Sequence, residues 1–245
     1  MARIEGSRMK EWREWCIISA MTENRTSRLR PAGSILVSRV RAPPQIRTAS
    51  VTVLFADLRG YTGMVERLPA VRVVPLLDEF VRVLGGAANK FGGEVYHVAG
   101  DGIMAGFGVN AESDSGASSA LSAGHAMLEG FALVADRWRS ELSIDAGIGI
   151  GLHLGEVAFG VLGPPKRKVT TLVGDTVNVA ARLCSRARAG EVLFSCTVAA
   201  ALSVSAETHG SSAPTSFLQL PQFELRGRRG PIDIWCVPAL ERLAL

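Results

Sequence analysis

What constrains this chain most is the order in which two hydrophobic periodicities alternate along it. Val51–Ala56 (VTVLFA) is a short β-branched, apolar run that suits a buried central strand ending at the polar Asp57. Val71, Val74, Leu77, Val81, Leu84, Ala88 and Phe91 then recur at intervals of three and four. That spacing predicts a helix running to the stop signal Gly92-Gly93, with Pro75 in or near its first turn. Glu94–Val98 and Ile103–Phe107 read as two strands joined by Ala99-Gly100-Asp101-Gly102, a hairpin whose tip carries one carboxylate between glycines. A second amphipathic helix follows through Ala117, Ala120, Leu121, Gly124, Leu128, Phe131, Ala135 and Trp138. Strand, helix, hairpin, helix, strand is the order of a ferredoxin-like split βαβ core, an α+β fold with an antiparallel-rich sheet. Helices cover one face of such a sheet, and the other is expected to be free for a ligand or a partner.

Further elements are expected as additions to that core. Ala146–Leu154 and Glu156–Leu162 read as a strand pair, followed by the turn Gly163-Pro164-Pro165-Lys166. A helix over Thr176–Arg186 is expected after Gly174-Asp175, with Asp175 as its N-cap. Glu191–Ser195 is a strand, and Phe217–Leu225 with Ile232–Val237 forms a last strand pair around Arg226–Pro231. The organisation is therefore a leader over 1–50, a single domain with room for a sizeable core over 51–238 and a short tail over 239–245.

Charge separates the leader from the domain. The chain has a pI near 9.1, which invites a nucleic-acid reading. Yet the first 50 residues hold ten Lys/Arg against four Asp/Glu, and the remaining 195 hold 17 against 19. The domain is thus slightly acidic, aromatics are only 6%, and no basic patch is interleaved with them, so no nucleic-acid partner is expected. The basic leader is suited to touch an anionic membrane surface or an acidic partner. No stretch reaches the roughly 18 apolar residues of a membrane span, and the start lacks a credible signal-peptide cleavage site, so a cytoplasmic location is expected. Cys16, Cys184, Cys196 and Cys236 form no CxxC pair and are expected to be reduced.

Two constellations carry chemistry. Asp57 at a strand end and Asp101 at the tip of the adjacent hairpin can offer two carboxylates to Mg²⁺, a hard ion that binds oxygen. Singly, each is an ordinary turn residue. Gly60, Tyr61 and Thr62 follow Asp57 in a turn whose backbone N–H groups suit a polyphosphate. In the second constellation Asn178 and Arg182, four apart, share one helix face displaced from Val177, Ala181 and Cys184. An amide beside a guanidinium can orient a sugar and neutralise a phosphoryl group, although the same spacing also fits two solvated helix residues.

Three segments then resemble the signature segments of the class III nucleotidyl cyclase catalytic domain. They are Phe55–Thr62 (FADLRGYT), Ala99–Gly108 (AGDGIMAGFG) and Val173–Leu183 (VGDTVNVAARL), in the family's order and spacing from about Ser50 to Val237. The resemblance implies that Asp57 and Asp101, with the Leu58 backbone carbonyl, hold two Mg²⁺ or Mn²⁺ ions. It implies that Asn178 orients the ribose of ATP and that Arg182 stabilises charge on the α-phosphoryl group. Arg226 is the candidate for a further phosphate contact near the last strand pair. It also implies a head-to-tail homodimer in which the metal aspartates and the Asn/Arg pair of one site come from opposite subunits. At the base-selecting positions Thr171 fits the adenylate pattern, whereas His97 stands where a lysine is usual. Guanylate cyclases generally carry an acidic residue at the position of His97.

The activity implied is an adenylate cyclase making 3′,5′-cyclic AMP. Because of His97, a cyclase for GTP or a pyrimidine nucleotide is the alternative, and a weakly active cyclase-like regulatory module is another. Retention of Asp57, Asp101, Asn178 and Arg182 argues against the regulatory module. A diguanylate cyclase would share the split core but lack the Asn178/Arg182 helix.

Overall fold

The computed structural model describes residues 46–109, 115–164, 167–209, 217–224 and 230–237. Its central strand is β1 (Arg47–Arg59), in which Val51–Ala56 are all buried, as a β-branched run between two covered faces should be. The strand is longer at both ends than its apolar run suggests. Arg47–Ser50 pair with Phe159–Glu156, so four residues assigned to the leader belong to the sheet. Asp57 does not end the strand: it pairs with Gly102 and Gly149, and Leu58 and Arg59 continue the ladder against Ile148 and Gly147. Backbone pairing extends a strand through polar residues whenever neighbours supply the hydrogen bonds.

After β1 come α1 (Tyr61–Arg67) and α2 (Ala70–Lys90), with Pro75 inside α2. The buried stripe of α2 is Val73, Phe80, Leu84 and Ala88. Val71 and Val74, expected on that stripe, are exposed, since they lie about 200° and 100° around the axis from Val73. The hairpin β2 (Glu94–Ala99) and β3 (Gly102–Phe107) turns at Gly100-Asp101 as expected. Next come α3 (Ala117–Leu142), β4 (Gly147–Leu162), β5 (Val169–Val173), α4 (Asp175–Arg186), β6 (Val192–Ser195), α5 (Cys196–His209), β7 (Leu218–Phe223) and β8 (Ile232–Val237). Neither β5 nor α5 was foreseen. The sheet order is β2–β3–β1–β4–β6–β8–β7, with β5 pairing β4 off this path. Its first four strands are the ferredoxin-like core, and β4 to β6 is a parallel pairing.

Side chains divide by face. Leu54, Ala56, Leu58, Ile103, Ala105, Phe107, Ile148, Ile150 and Leu152 point into the core shared with α2 and α3. There Phe131 stands edge-on to Phe80 at 5.7 Å and to Trp138 at 5.4 Å. Glu79 of α2 accepts bonds from the Arg137 guanidinium and the Trp138 indole of α3, joining the two helices at the rim.

The opposite face is only partly open. Helix α4 lies across it, packing Val179, Leu183 and Ala187 against Leu193, Ile232, Ile234 and Cys236. The strand pair expected around Gly155 is instead one 16-residue strand, β4. Gly155 does not turn the chain. It pairs with Val51, and a Cβ there would lie 2.6 Å from Thr176 Oγ1 at the start of α4. Gly151 is more tightly covered: its Cβ would fall 2.1 Å from the Cys184 amide nitrogen and 2.4 Å from the Ala180 carbonyl oxygen. The residues of β4 on this face thus read Gly147, Gly149, Gly151, His153 and Gly155, and the helix backbone rests where side chains would otherwise stand.

Val161–Val169 are a segment that does not belong to the compact unit of Ile46–Gly160. Within it Gly163 has φ +116°, and the Arg167 amide donates to the Pro164 carbonyl at 2.9 Å. Residues 1–45 and 239–245 lie outside the described residues, and with them most of the basic leader and the whole expected tail. No helix of the described residues is long and apolar enough to cross a membrane.

Because the atoms facing Gly151 are backbone, they cannot step aside by a rotamer change. Gly151→Ala is expected to lower stability by about 1–3 kcal/mol through overpacking, read as a lower urea midpoint. Gly86→Ala, on an exposed stretch of α2 with no atom within 4 Å of the new Cβ, is the control and should not destabilise.

Candidate active site

Strand register sets the site. Across the α4 face, Ala99, Gly102, Asp57 and Gly149 form one row over β2, β3, β1 and β4. The next row is His97, Met104, Phe55 and Gly151. Asp57 is therefore the polar member of a row otherwise made of glycine and alanine. Asp101 reaches the same place from the hairpin turn. The Leu58 amide donates to the Asp101 carbonyl at 2.8 Å, fixing the turn to the end of β1. Both carboxylates act on the Cys184 thiol, which burial, first, and the Asp57 charge push up to about 12.

Arg59 binds this corner together. From β1, two residues beyond Asp57 and on the same face, its Nη1 donates to Asp57 Oδ2. Its Nε donates to the Ala187 carbonyl at 3.1 Å, and its Nη2 to the Cys184 carbonyl. All three guanidinium nitrogens are engaged, and two of them hold the C-terminal end of α4, where a cation is favoured. Gly149 makes space for the group, since a Cβ there would sit 2.5 Å from Nη2.

The turn after β1 depends on Gly60. Its φ is +90°, and a Cβ would stand 2.4 Å from the Asp145 carbonyl oxygen, so both conformation and space require glycine. Tyr61 is half-buried and Thr62 exposed at the start of α1, whose first bond runs from the Met64 amide to the Gly60 carbonyl at 3.1 Å.

On α4 the buried positions are Thr176, Val179, Ala180, Leu183 and Cys184. Val177 and Ala181, expected on the inner face, are only half-buried. Small apolar residues at successive positions leave the choice of face to packing. The outward stripe is Asp175 and Asn178, both exposed, with the half-buried Arg182. Asp175 is not the N-cap: Gly174 holds that position, with φ 157° and ψ 170°, and Asp175 is the first helical residue. The start of α4 is tied down instead by Thr176 Oγ1, which donates to the Glu156 carbonyl at 2.7 Å.

Thr171 lies half-buried in β5, next to the buried Leu172 that packs over Gly106. His97 is half-buried on the open face of β2, and burial lowers its pKa below the ordinary 6.5, which favours the neutral ring. His153, on β4, is buried, with Nδ1 2.7 Å from Ser195 Oγ, and belongs to the sheet as expected. Arg226 lies outside the described residues. The structure thus brings together Asp57, Asp101 and Arg59, and sets Asn178 and Arg182 on the outward stripe of α4. Arg59, Gly149 and Cys184 were not foreseen as parts of the site. The signal present was the alternation Gly-Ile-Gly-Ile-Gly-Leu in β4, which marks a strand face approached by backbone.

Residues 44–237 match the adenylate and guanylate cyclase catalytic domain, and the chain belongs to that family. An adenylate cyclase of Anabaena cylindrica is 33% identical over 144 residues, 56% of this chain and 27% of that protein. An uncharacterized protein of Mycobacterium tuberculosis is 35% identical over 136 residues, 56% of this chain and 24% of its own length. The aligned part thus spans about a quarter of these relatives. Among solved structures, the adenylyl cyclase CyaB of P. aeruginosa superposes with a TM-score of 0.72 at 27% identity, covering 81% of this chain and 98% of that one. The guanylyl cyclase Cya2 gives 0.69 at 26%, covering 82% and 98%. The chain is a class III nucleotidyl cyclase domain of ferredoxin-like core, similar to adenylyl and guanylyl cyclases alike.

Class III cyclase domains generally use divalent metal, and the donor set here fits it. No group of three or more His, Cys, Asp or Glu suited to a metal occurs among the described residues. Two neighbouring carboxylates match an ion such as Mg²⁺, which takes one or two protein carboxylates and completes its shell with phosphate and water. Cys184 is too deeply buried, and its thiol too weakly acidic, to react in the folded state. At pH 8 iodoacetamide is expected to leave it unmodified until urea is added, as read by peptide mass spectrometry.

Proposed function

We propose that the chain is an adenylate cyclase that converts ATP to 3′,5′-cyclic AMP and pyrophosphate in sites shared by two copies. One observation carries the shared site. Asn178 and Arg182 sit on the outer surface of α4, whereas Asp57 faces the sheet side beneath its end. A nucleotide touching both sets needs the α4 surface of a second copy. Each copy holds both sets, so a head-to-tail homodimer has two equivalent sites.

Asp57 and Asp101, with the Leu58 carbonyl, would hold two Mg²⁺ or Mn²⁺ ions. Such ions, when bound, acidify the ribose 3′-hydroxyl and neutralise triphosphate charge. The backbone at Gly60, Tyr61 and Thr62 lies beside Asp57 and lines the phosphate end. From the other copy, Asn178 orients the ribose through its amide. The Arg182 guanidinium is positioned to meet the charge that grows on the α-phosphoryl oxygens as the 3′-oxygen bonds to phosphorus and the bond to pyrophosphate breaks. The hydroxyl proton leaves to solvent. Arg226 is the candidate for a further contact to the departing phosphates.

Thr171 and His97 address the base. The Thr171 hydroxyl can accept from the adenine amino group, and a neutral His97 can donate to or accept from a ring nitrogen. The neutral ring also supports a second reading, a cyclase for GTP or a pyrimidine nucleotide, since a partly buried imidazole lacks the charge and reach of lysine.

Incubation with each of the four NTPs and Mg²⁺ or Mn²⁺ should yield cyclic AMP from ATP, resolved by chromatography. Asp57→Ala and Arg182→Ala should each lose at least 100-fold, and mixing the two inactive proteins should restore about one site per heterodimer. No cyclic product from any nucleotide would defeat the cyclase reading, and no rescue would defeat the shared site.

His97→Lys should raise kcat/KM for ATP. Because burial keeps His97 uncharged above its ordinary pKa of 6.5, wild-type KM for ATP should be flat from pH 7 to 8. A drop in ATP turnover with a gain for GTP would transfer the assignment to the second reading.

A further inference from the structure

Beyond the residues that would touch nucleotide or metal, the corner around Arg59 joins two parts of the chain that serve different purposes. Asp57 belongs to the sheet. Cys184 and Ala187, whose carbonyls accept from Nη2 and Nε, end the helix that carries Asn178 and Arg182. Nη1 holds Asp57 Oδ2, so one carboxylate oxygen is committed and the rotation of the group is fixed. The guanidinium is inside the fold rather than on its rim, with 21% of its side chain exposed against 20% for Asp57. A planar fork with fixed donor directions can make these three bonds at once, and an ammonium cannot. The empty space over Gly149 is occupied by this group, so the glycine and the arginine form one fitting.

We propose that Arg59 is a positioning residue that locks the Asp57 carboxylate and the C-terminal turn of α4 into one unit. This rests on the shared-site reading above and extends it. Under that reading Asp57 of a given copy works in one site, while Asn178 and Arg182 of the same copy work in the other. Arg59 then ties the metal half of one site to the transition-state half of its twin. A shift of either Asp57 or α4 is carried to the other through the guanidinium, which bonds to both.

The test separates charge from geometry. Arg59→Lys keeps the positive charge and loses the fork. Gly149→Ala keeps Arg59, fills the space of its Nη2 and crowds the Ala187 carbonyl that accepts from its Nε, 2.7 Å from the new Cβ. Both are first shown by circular dichroism and gel filtration to fold and assemble as wild type; should Arg59→Lys fail this, Gly149→Ala carries the same comparison. Mn²⁺ binding to the full chain without nucleotide, followed by the electron paramagnetic resonance of free Mn²⁺, is expected to weaken about 10-fold in both, as when the partner of a metal-binding group is lost. Unchanged binding in a folded variant overturns the Asp57 part of the proposal.

Heterodimers test the second part. In the mixture of Asp57→Ala and Arg182→Ala copies, the working site takes Asp57 from the second and Arg182 from the first. Arg59→Lys placed in the copy that supplies Asp57 should raise the Mn²⁺ concentration needed for half-maximal rate. Placed in the copy that supplies Arg182, it should lower kcat three- to tenfold and leave the Mn²⁺ requirement unchanged. No effect from the second placement overturns the link through α4. If the parent mixture shows no activity, the shared-site reading fails, and the Mn²⁺ binding result still decides the role of Arg59 toward Asp57.

Discussion

Helix α4 reaches its place because β4 presents hydrogen atoms where other strands present side chains. At Gly151 the helix backbone comes so near that a single methyl would collide with the Cys184 amide and the Ala180 carbonyl. Gly155 leaves room for Thr176 at the start of the helix and Gly149 for the Arg59 guanidinium near its end. Contact along that line sets the height and tilt of α4 over the sheet. The buried side chains Val179 and Leu183 then have only to fill the flank against Leu193, Ile234 and Cys236. Everything α4 displays outward, Asn178 and Arg182 above all, inherits its position from this stripe.

The same stripe brings charge into a confined corner. Beside Asp57 and Asp101 lie a buried thiol, the carbonyl end of a helix and one guanidinium. Two carboxylates and a helix C-terminus would repel one another without a cation. Arg59 answers both: it offsets the Asp57 charge and satisfies the carbonyls of Cys184 and Ala187. The carboxylate is therefore oriented by the protein itself, from a guanidinium that the missing side chain of Gly149 lets in.

Local signals were legible and long-range ones were not. The Gly100-Asp101 hairpin is a local object, and it appears where its glycines put it. The helix after Gly174 is equally local, yet its inner face was misplaced onto Val177 and Ala181, because small apolar residues there leave several stripes of similar hydrophobicity. Gly155 fits either a turn or close packing in one dimension, and in three it lies inside one strand at a site of close approach. In β1 the apolar run shows the buried part of the strand, while its extension to Arg47 and Arg59 follows from partners about 100 residues away. Arg59 is the sharpest case. Between Leu58 and Gly60 it reads as a turn residue past the end of the strand, and its carbonyl partners lie 125 and 128 positions along the chain.

By itself, then, the sequence determined the order of the core elements and the family, because periodicity, turns and motif spacing are properties of neighbours along the chain. Tertiary structure alone decided that one face of the sheet is partly closed by α4, that Asp57 is held by Arg59, and that Asn178 and Arg182 fall on the outward stripe of that helix. These are matters of distance between segments far apart in the chain. They depend on how closely one backbone can approach another, which the glycines of β4 permit and only packing realises.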